Sequence, residues 1–359
     1  MDFHLSETQQ AISEVSTGVL RDIAEGDDAG GWGAIVDSGL PSNFAPQSAG
    51  GDGLGVAEAI QLFAAIGSKA LDVPLLGTLT AMAVLDRWGE DAQRDRFLPD
   101  ISSGTTLFAL AIAEPGADAI EHGQTTAVEL DDGWQLDGTK VAVSFADRAS
   151  RIMVTASLVD GRVGIFLVRP EQYGVRLTEE IATTGAKRWT VDFESVQLSK
   201  ADAVPLHDAA ATLQQHALLY LSAQQMGCTR TALELAASYT SERQQFGRAI
   251  ASFQAVANRM ADAYVDLKAL TWSVYDAADA VSRRRPDAEL AVATAKFWAA
   301  EAGHRIASTA QHVHGGIGVD MDYPMHRFFL RAKDIEFALG GASTQLATIW
   351  TQLESQVLS

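Results

Sequence analysis

The sequence predicts an α+β protein in three parts: an N-terminal helical domain (1–104), a middle antiparallel β domain (105–205) and a C-terminal four-helix bundle (206–359). Three observations lead there. Apolar residues recur at helical spacing through the first part. The period shortens toward two in the middle, with turn residues between short apolar runs. From Phe253 onward, Val256, Met260, Tyr264, Leu267, Leu270, Val274 and Val281 follow one another mostly in steps of three and four, one long amphipathic face that needs packing partners.

Each element has a local reason. Ser6 is an N-cap before Ile12, Val15 and Val19, which predicts a helix through Leu20. Trp32, Ile35 and Val36 share a second helical face, stopped by Ser38–Gly39. Pro46 to Gly55 carries four glycines and a proline, so it reads as a loop. Val56–Ile66 reads as a buried helix. In the middle part, Leu107–Ala113 is an apolar run stopped by Glu-Pro-Gly, and Gly133–Val143 has hairpin-like turn chemistry at Asp137–Gly138. Asp160–Gly161 between Ile152–Val159 and Val163–Val168 is the strongest hairpin signal. Thr190–Leu198 alternates loosely. In the last part, His216–Glu242, the Phe253 helix, Leu290–Ala310 and Arg327–Leu339 are the four bundle helices, and Arg283-Arg-Arg-Pro286 stops the second.

Composition narrows the function. The chain has 359 residues, 47% hydrophobic and 20% charged, with 27 − 46 = −19 formal charge. That balance argues against a nucleic-acid binder and against general attraction to anionic membranes. One cysteine, Cys228, excludes an intrachain disulfide and reads as a small buried residue. No basic leader and no apolar run of membrane-spanning length stand out, so a cytoplasmic protein is expected.

Four places attract chemical attention. Ser241-Glu-Arg-Gln-Gln-Phe-Gly-Arg248 with Phe253–Gln254 sets an Arg beside an aromatic ring and a glycine, suited to a diphosphate and a heterocycle. The alternative is a solvated helix terminus. Gln311-His-Val-His-Gly-Gly-Ile-Gly318 ends a helix on glycines that admit a phosphate close to backbone N–H groups. His312 and His314 have a spacing that a metal can use, but no third ligand follows, so helix capping is the competing reading and no metal is assigned. Ala113-Glu-Pro-Gly-Ala-Asp118 is either a plain turn or a backbone cradle. The fourth is an absence: the chain has no Rossmann fingerprint, P-loop, His-Glu-x-x-His or Gly-x-Ser-x-Gly. Trp134, Trp189, Trp272, Trp298 and Trp350 read as core or interface anchors, Arg283–Arg285 as a solvated helix end, and Asp320 and Asp322 as loop charges.

Taken in order, these segments resemble the acyl-CoA dehydrogenase family over nearly the whole chain. Asp2-Phe-His-Leu-Ser-Glu-Thr-Gln9, the Pro46–Gly55 loop, Gly89…Phe97-Leu-Pro99 and Ala113-Glu-Pro-Gly116 follow in register. Arg243-Gln-Gln-Phe-Gly247 with Phe253–Gln254 is the most specific match, and His314-Gly-Gly-Ile-Gly318 with Tyr323–Pro324 is next. The resemblance implies FAD at a subunit interface, an acyl-CoA substrate, α,β-dehydrogenation and electron transfer to an electron-transfer flavoprotein. It assigns cofactor contacts to Arg243, Phe246, Gln254, His312, Gly315, Gly316, Ser144 and Ala113.

The departures are equally specific. The family's base, a Glu before Gly, falls on Leu339 or Gly340, and the alternative base position falls on Ala217, beside His216. The Thr and Ser of the family's Thr-Glu-Pro-Gly-x-Gly-Ser-Asp stretch are missing from Ala113–Ala119. Its Trp-Ile-Thr-Asn reads Ala142-Val-Ser-Phe145. No catalytic residue is therefore assigned to this chain. The family includes actinobacterial enzymes of steroid side-chain breakdown built as α2β2 assemblies, and the leading expectation is the base-less subunit of such a heterotetramer. The alternatives are a self-sufficient homo-oligomer using Glu336 or His216, a flavin monooxygenase on the same fold, and an architectural subunit without FAD.

Overall fold

The computed structural model describes residues 5–23, 27–116, 123–205 and 208–358. Asp2, Phe3 and His4 of the opening motif, Ala117–Ala119 and His207 lie outside the described residues. The chain forms two compact units that interleave along the sequence. The first comprises Met1–Gly31, Val56–Asp72 and Leu218–Ser359, and the second Trp32–Gly55 and Val73–Ala217.

In the first unit, α1 (Glu7–Leu20) starts with the expected Ser6 cap, completed by Gln9 reaching back to the Ser6 N–H. α4 (Val56–Ser68) is buried along nearly its whole length. It crosses α7 (Ala209–Glu242) at backbone contact. A Cβ on Gly67 would meet the Gln224 carbonyl oxygen at 2.0 Å, and one on Gly227 would meet that of Ala64 at 1.9 Å. Only glycine permits that approach. α8 (Gln254–Ser282), α9 (Ala288–His314), α10 (Met325–Phe337) and α11 (Ala342–Leu358) complete the unit. Cys228, Ala232 and Ala236 of α7 pack with Ala307 and Ala310 of α9 and with Met325 and Phe328 of α10. Cys228 is buried as expected, and burial pushes its thiol up to about 12. The Arg283–Arg285 segment is a solvent-facing helix end in which Arg285 pairs with Asp276 and Asp287.

Helix α2 (Asp28–Asp37) begins in the first unit and ends in the second, which also holds α3 (Leu40–Phe44), α5 (Leu75–Trp88), α6 (Asp91–Ser102) and the sheet. Its strands are β1 (Phe108–Ala111), β2 (Thr126–Leu130), β3 (Gly133–Ser144), β4 (Arg151–Leu158), β5 (Val163–Val168), β6 (Val175–Ile181), β7 (Lys187–Ser199) and β8 (Ala203–Val204). The order is β6-β7-β3-β2-β4-β5-β8. Most pairs are antiparallel, but β1 and β2 both run parallel to β4, one along each half of it. Trp134 meets Phe166 edge-on in the core at 5.3 Å, and Trp189 is buried with them. The Asp160–Gly161 hairpin is present, with Gly161 at φ +84°.

Asp137–Gly138 is not a turn. It lies inside β3, where the register with β7 shifts between Leu136 and Gly138. The physical reason is a bulge: the Asp137 carboxylate accepts the Ser195 N–H at 2.7 Å, and Gly138 adopts φ +146° against Thr125. The last bundle helix also ends earlier than expected, at Phe337, which leaves Leu339 outside it.

Candidate functional site

At the end of α7 the chain folds into a small hairpin. β9 (Gln244–Gln245) pairs with β10 (Arg248–Ala249) across Phe246 and Gly247, at φ +53° and +76°. Two consecutive left-handed residues are what a two-residue hairpin turn of the I′ class requires. The turn pushes the Phe246 ring outward until it is 91% exposed. Its one ring neighbour among the described residues is Phe253, edge-on at 6.2 Å, which the Arg248 guanidinium covers at 4.1 Å. Arg243 is exposed and makes no ion pair among the described residues; its N–H donates to Tyr239 and its carbonyl accepts from Ile250. Gln254, also exposed, is the first residue of α8.

The end of α9 supplies the second segment. His314 is buried, Nδ1 against the Ala310 carbonyl at 2.7 Å and Nε2 against the Tyr323 hydroxyl at 3.0 Å. Nδ1 therefore carries the proton and Nε2 accepts. Burial is the main force on the ring and lowers its pKa, with the Ala310 hydrogen bond opposing. Both ring nitrogens are used, so His314 is not free to bind a metal. Among the described residues no group of three or more His, Cys, Asp or Glu side chains could hold one. Tyr239 stacks on His314, and so brings the hairpin and the glycine segment together within one unit. His312 is exposed, and a Cβ at Gly315 or Gly316 would meet nothing within 4 Å. An unpaired guanidinium, an outward aromatic ring and open glycine backbone suit a flat ligand carrying phosphates.

Ala113 and Ser144 belong to the other unit. The Ala113 carbonyl accepts from Val141 N–H at 2.9 Å. Beside it, Glu114 and Lys140 form a buried ion pair at 2.6 Å. Lys140 also donates to the Ile112 carbonyl and Thr155, while Glu114 accepts from the N–H groups of Gln124 and Thr125. Burial works to raise the Glu114 carboxyl, but the ammonium and the N–H donors outweigh it and hold the group below the usual carboxylate range. Ser144 ends β3 opposite Arg188, half-buried, between Ala142 and Phe145 at φ +54° and +57°. Non-glycine residues rarely adopt that conformation.

The three positions without a carboxylate are equally defined. Ala217 is fully buried in α7. Leu339 (φ +54°) and Gly340 (φ +93°) form a left-handed turn after α10. Lys296 of α9 is fully buried and holds that turn, donating to the carbonyls of Ile335 (3.1 Å), Glu336 (3.1 Å) and Gly340 (3.0 Å). Burial pushes its ammonium down to about 7, with Glu336 opposing. The Glu336 carboxylate is itself engaged by Lys333 at 2.6 Å and lies 3.4 Å from His304. His216 sets Nδ1 on the Thr212 carbonyl at 2.8 Å. Lys296 and Tyr239 stand outside every motif of the sequence, and the pairing of Glu114 with Lys140 joins residues that no local pattern links. A lysine inside the Ala-rich run Ala293–Ala300 was the one available signal.

Comparison with known proteins identifies the family. The N-terminal domain of acyl-CoA dehydrogenase matches residues 8–105, and its C-terminal domain matches residues 208–353. Acyl-CoA dehydrogenase FadE27 of Mycobacterium tuberculosis is 38% identical over 332 residues, covering 90% of this chain and 87% of the relative. FadE28 of the same organism is 33% identical, covering 96% and 97%. Among solved structures, the ChsE4-ChsE5 complex from Mycobacterium tuberculosis superposes with TM-score 0.92 at 34% identity, covering 99% of both chains. The Tcur3481-Tcur3483 steroid ACAD G363A variant gives TM-score 0.92 at 32% identity, covering 98% of this chain and 99% of the other. No helix among the described residues is long and apolar enough to cross a membrane. With sequence relatives and solved structures matching almost from end to end, the chain belongs to the acyl-CoA dehydrogenase family.

Proposed function

We propose that this chain is the base-less subunit of an α2β2 FAD-dependent acyl-CoA dehydrogenase, completing a flavin site whose catalytic carboxylate belongs to a homologous partner subunit. The observation that carries this reading is the turn at Leu339–Gly340. Its backbone is held by Lys296, yet the position matching the family's base falls on Leu339 or Gly340, neither of which has a carboxylate. The second position, Ala217, is equally inert.

The exposed residues fit a cofactor shared across an interface. Arg243 would pair with the FAD diphosphate, Phe246 and Gln254 would reach toward it from the hairpin and α8, and Gly315–Gly316 would let backbone approach closely. His312 stands beside those glycines. On the other unit, Ala113 presents backbone and Ser144 a hydroxyl. When bound, FAD supplies the hydride acceptor of α,β-dehydrogenation. The α-proton of a thioester is weakly acidic, so its removal needs a positioned base and donors toward the thioester oxygen. This chain has no carboxylate at either base position, so the partner must provide one. An acyl-CoA with a steroid side chain is the proposed substrate, supported by the likeness to a steroid enzyme of this family. An electron-transfer flavoprotein is the proposed electron acceptor.

Self-sufficiency through Glu336 is disfavoured because its carboxylate is held by Lys333. The test is coexpression with a homologous family gene, followed by copurification, flavin stoichiometry and dehydrogenation assays on several CoA thioesters. The expected result is a flavin-bearing heteromer, active where this chain alone is not. Equal activity of the isolated chain overturns the reading, a flavin-free complex favours an architectural role, and oxygen-consuming hydroxylation favours a monooxygenase.

A further inference from the structure

We propose that Arg96, Arg151 and Arg169 form a binding site for a phosphate-class dianion on the second unit, at the β4–β5 end that faces α6. The antiparallel register pairs Ile152 with Val168. Arg151 and Arg169 therefore occupy the next pair of opposed positions, where like charges destabilise a ladder. Arg96 arrives from α6. Its guanidinium carbon lies 5.0 Å from the centroid of the Phe97 ring, and that of Arg151 lies 5.4 Å from the same centroid. Two cations thus flank one buried phenyl ring, and Arg169 stands opposite Arg151 as a third, in a chain whose net charge is −19.

The central guanidinium is under-satisfied. Arg151 is 8% exposed; its Nη1 donates to the Ser150 carbonyl at 2.7 Å, and its Nε is buried without a partner. None of the three arginines makes an ion pair within 4.0 Å among the described residues. Asp202 and Glu171 are the acidic groups acting on Arg151. Asp202 already accepts from the Ser199 N–H and hydroxyl, and Glu171 is exposed to solvent. Burial first, then Arg96 and Arg169, lower the Arg151 pKa from its ordinary range. A buried guanidinium without a counter-ion is costly, and a doubly charged oxyanion meets the planar donor fork of arginine. Three arginines favour a dianion over a monoanion.

The experiment is calorimetric titration of the full-length protein, in the assembly in which it purifies, with inorganic phosphate at constant ionic strength. Arg96→Gln and Arg169→Gln remove exposed charges and leave the core intact. Arg283→Gln, at the end of α8 in the other unit, controls for the general field. The expected result is saturable binding to the wild type and to Arg283→Gln. Each site variant should bind about tenfold more weakly, the loss of one charge-assisted contact. No saturable binding to the wild type, unchanged affinity in both site variants, or an equal loss in Arg283→Gln overturns the proposal.

Discussion

The Tyr239 ring lies on the His314 imidazole with centroids 4.6 Å apart and planes 24° from parallel. That stack fastens the end of α7 to the end of α9. Because the Tyr239 carbonyl also accepts the Arg243 N–H, it fixes where the hairpin begins relative to Gly315 and Gly316.

Removing the stack should therefore loosen both segments. His314→Ala is expected to lower the unfolding midpoint and reduce bound flavin in the coexpressed complex. A double-mutant cycle with Tyr239→Leu should show coupling of about 0.5–1.5 kcal/mol. Additive losses would show that the two rings act separately.

The same histidine predicts acid sensitivity. In the unfolded chain the imidazole takes a proton near its ordinary value, about 6.5. Its pKa in the fold is lower, so the unfolded state binds more protons as pH falls through that value. Stability should drop from pH 7 toward pH 5.5. His314→Phe should show a shallower drop in denaturation curves measured across that window.

Lys296 predicts the opposite edge of the pH range. Its folded-state pKa is pushed down to about 7, whereas an unfolded lysine keeps its proton to about 10.4. Between those values the unfolded chain binds more protons, so this residue makes stability rise with pH. Lys296→Met should remove that slope. It should also speed amide hydrogen exchange in the 338–345 segment, because three carbonyls lose their donor.

Removing one member of the Glu114–Lys140 pair should be costly. Lys140→Met leaves a buried carboxylate uncompensated, a loss of about 3–5 kcal/mol. Glu114→Gln with Lys140→Met should recover much of it. Chemical denaturation of the single and double variants checks this, and a double variant no better than Lys140→Met would contradict it.

Local chemistry made several elements legible: the Ser6 cap, the Asp160–Gly161 hairpin and the long α8 periodicity are all present. Asp137–Gly138 misled because the same two residues that make a turn also make a bulge, and the choice depends on Ser195, a residue far away in sequence. Helix α11, beyond the four bundle helices the sequence suggests, leaves its apolar positions Leu346, Trp350 and Leu353 exposed.

The sequence by itself determined the order of helical and β segments and the Arg243 and His314 motifs. Those are properties of spacing and residue type, which neighbours along the chain express. Tertiary structure decided what those residues meet. It stacked Tyr239 on His314, buried Lys296 against the turn that follows α10, and set α4 against α7 through paired glycines. Such contacts join residues distant in sequence, and their energies arise from desolvation and close packing that no local pattern records.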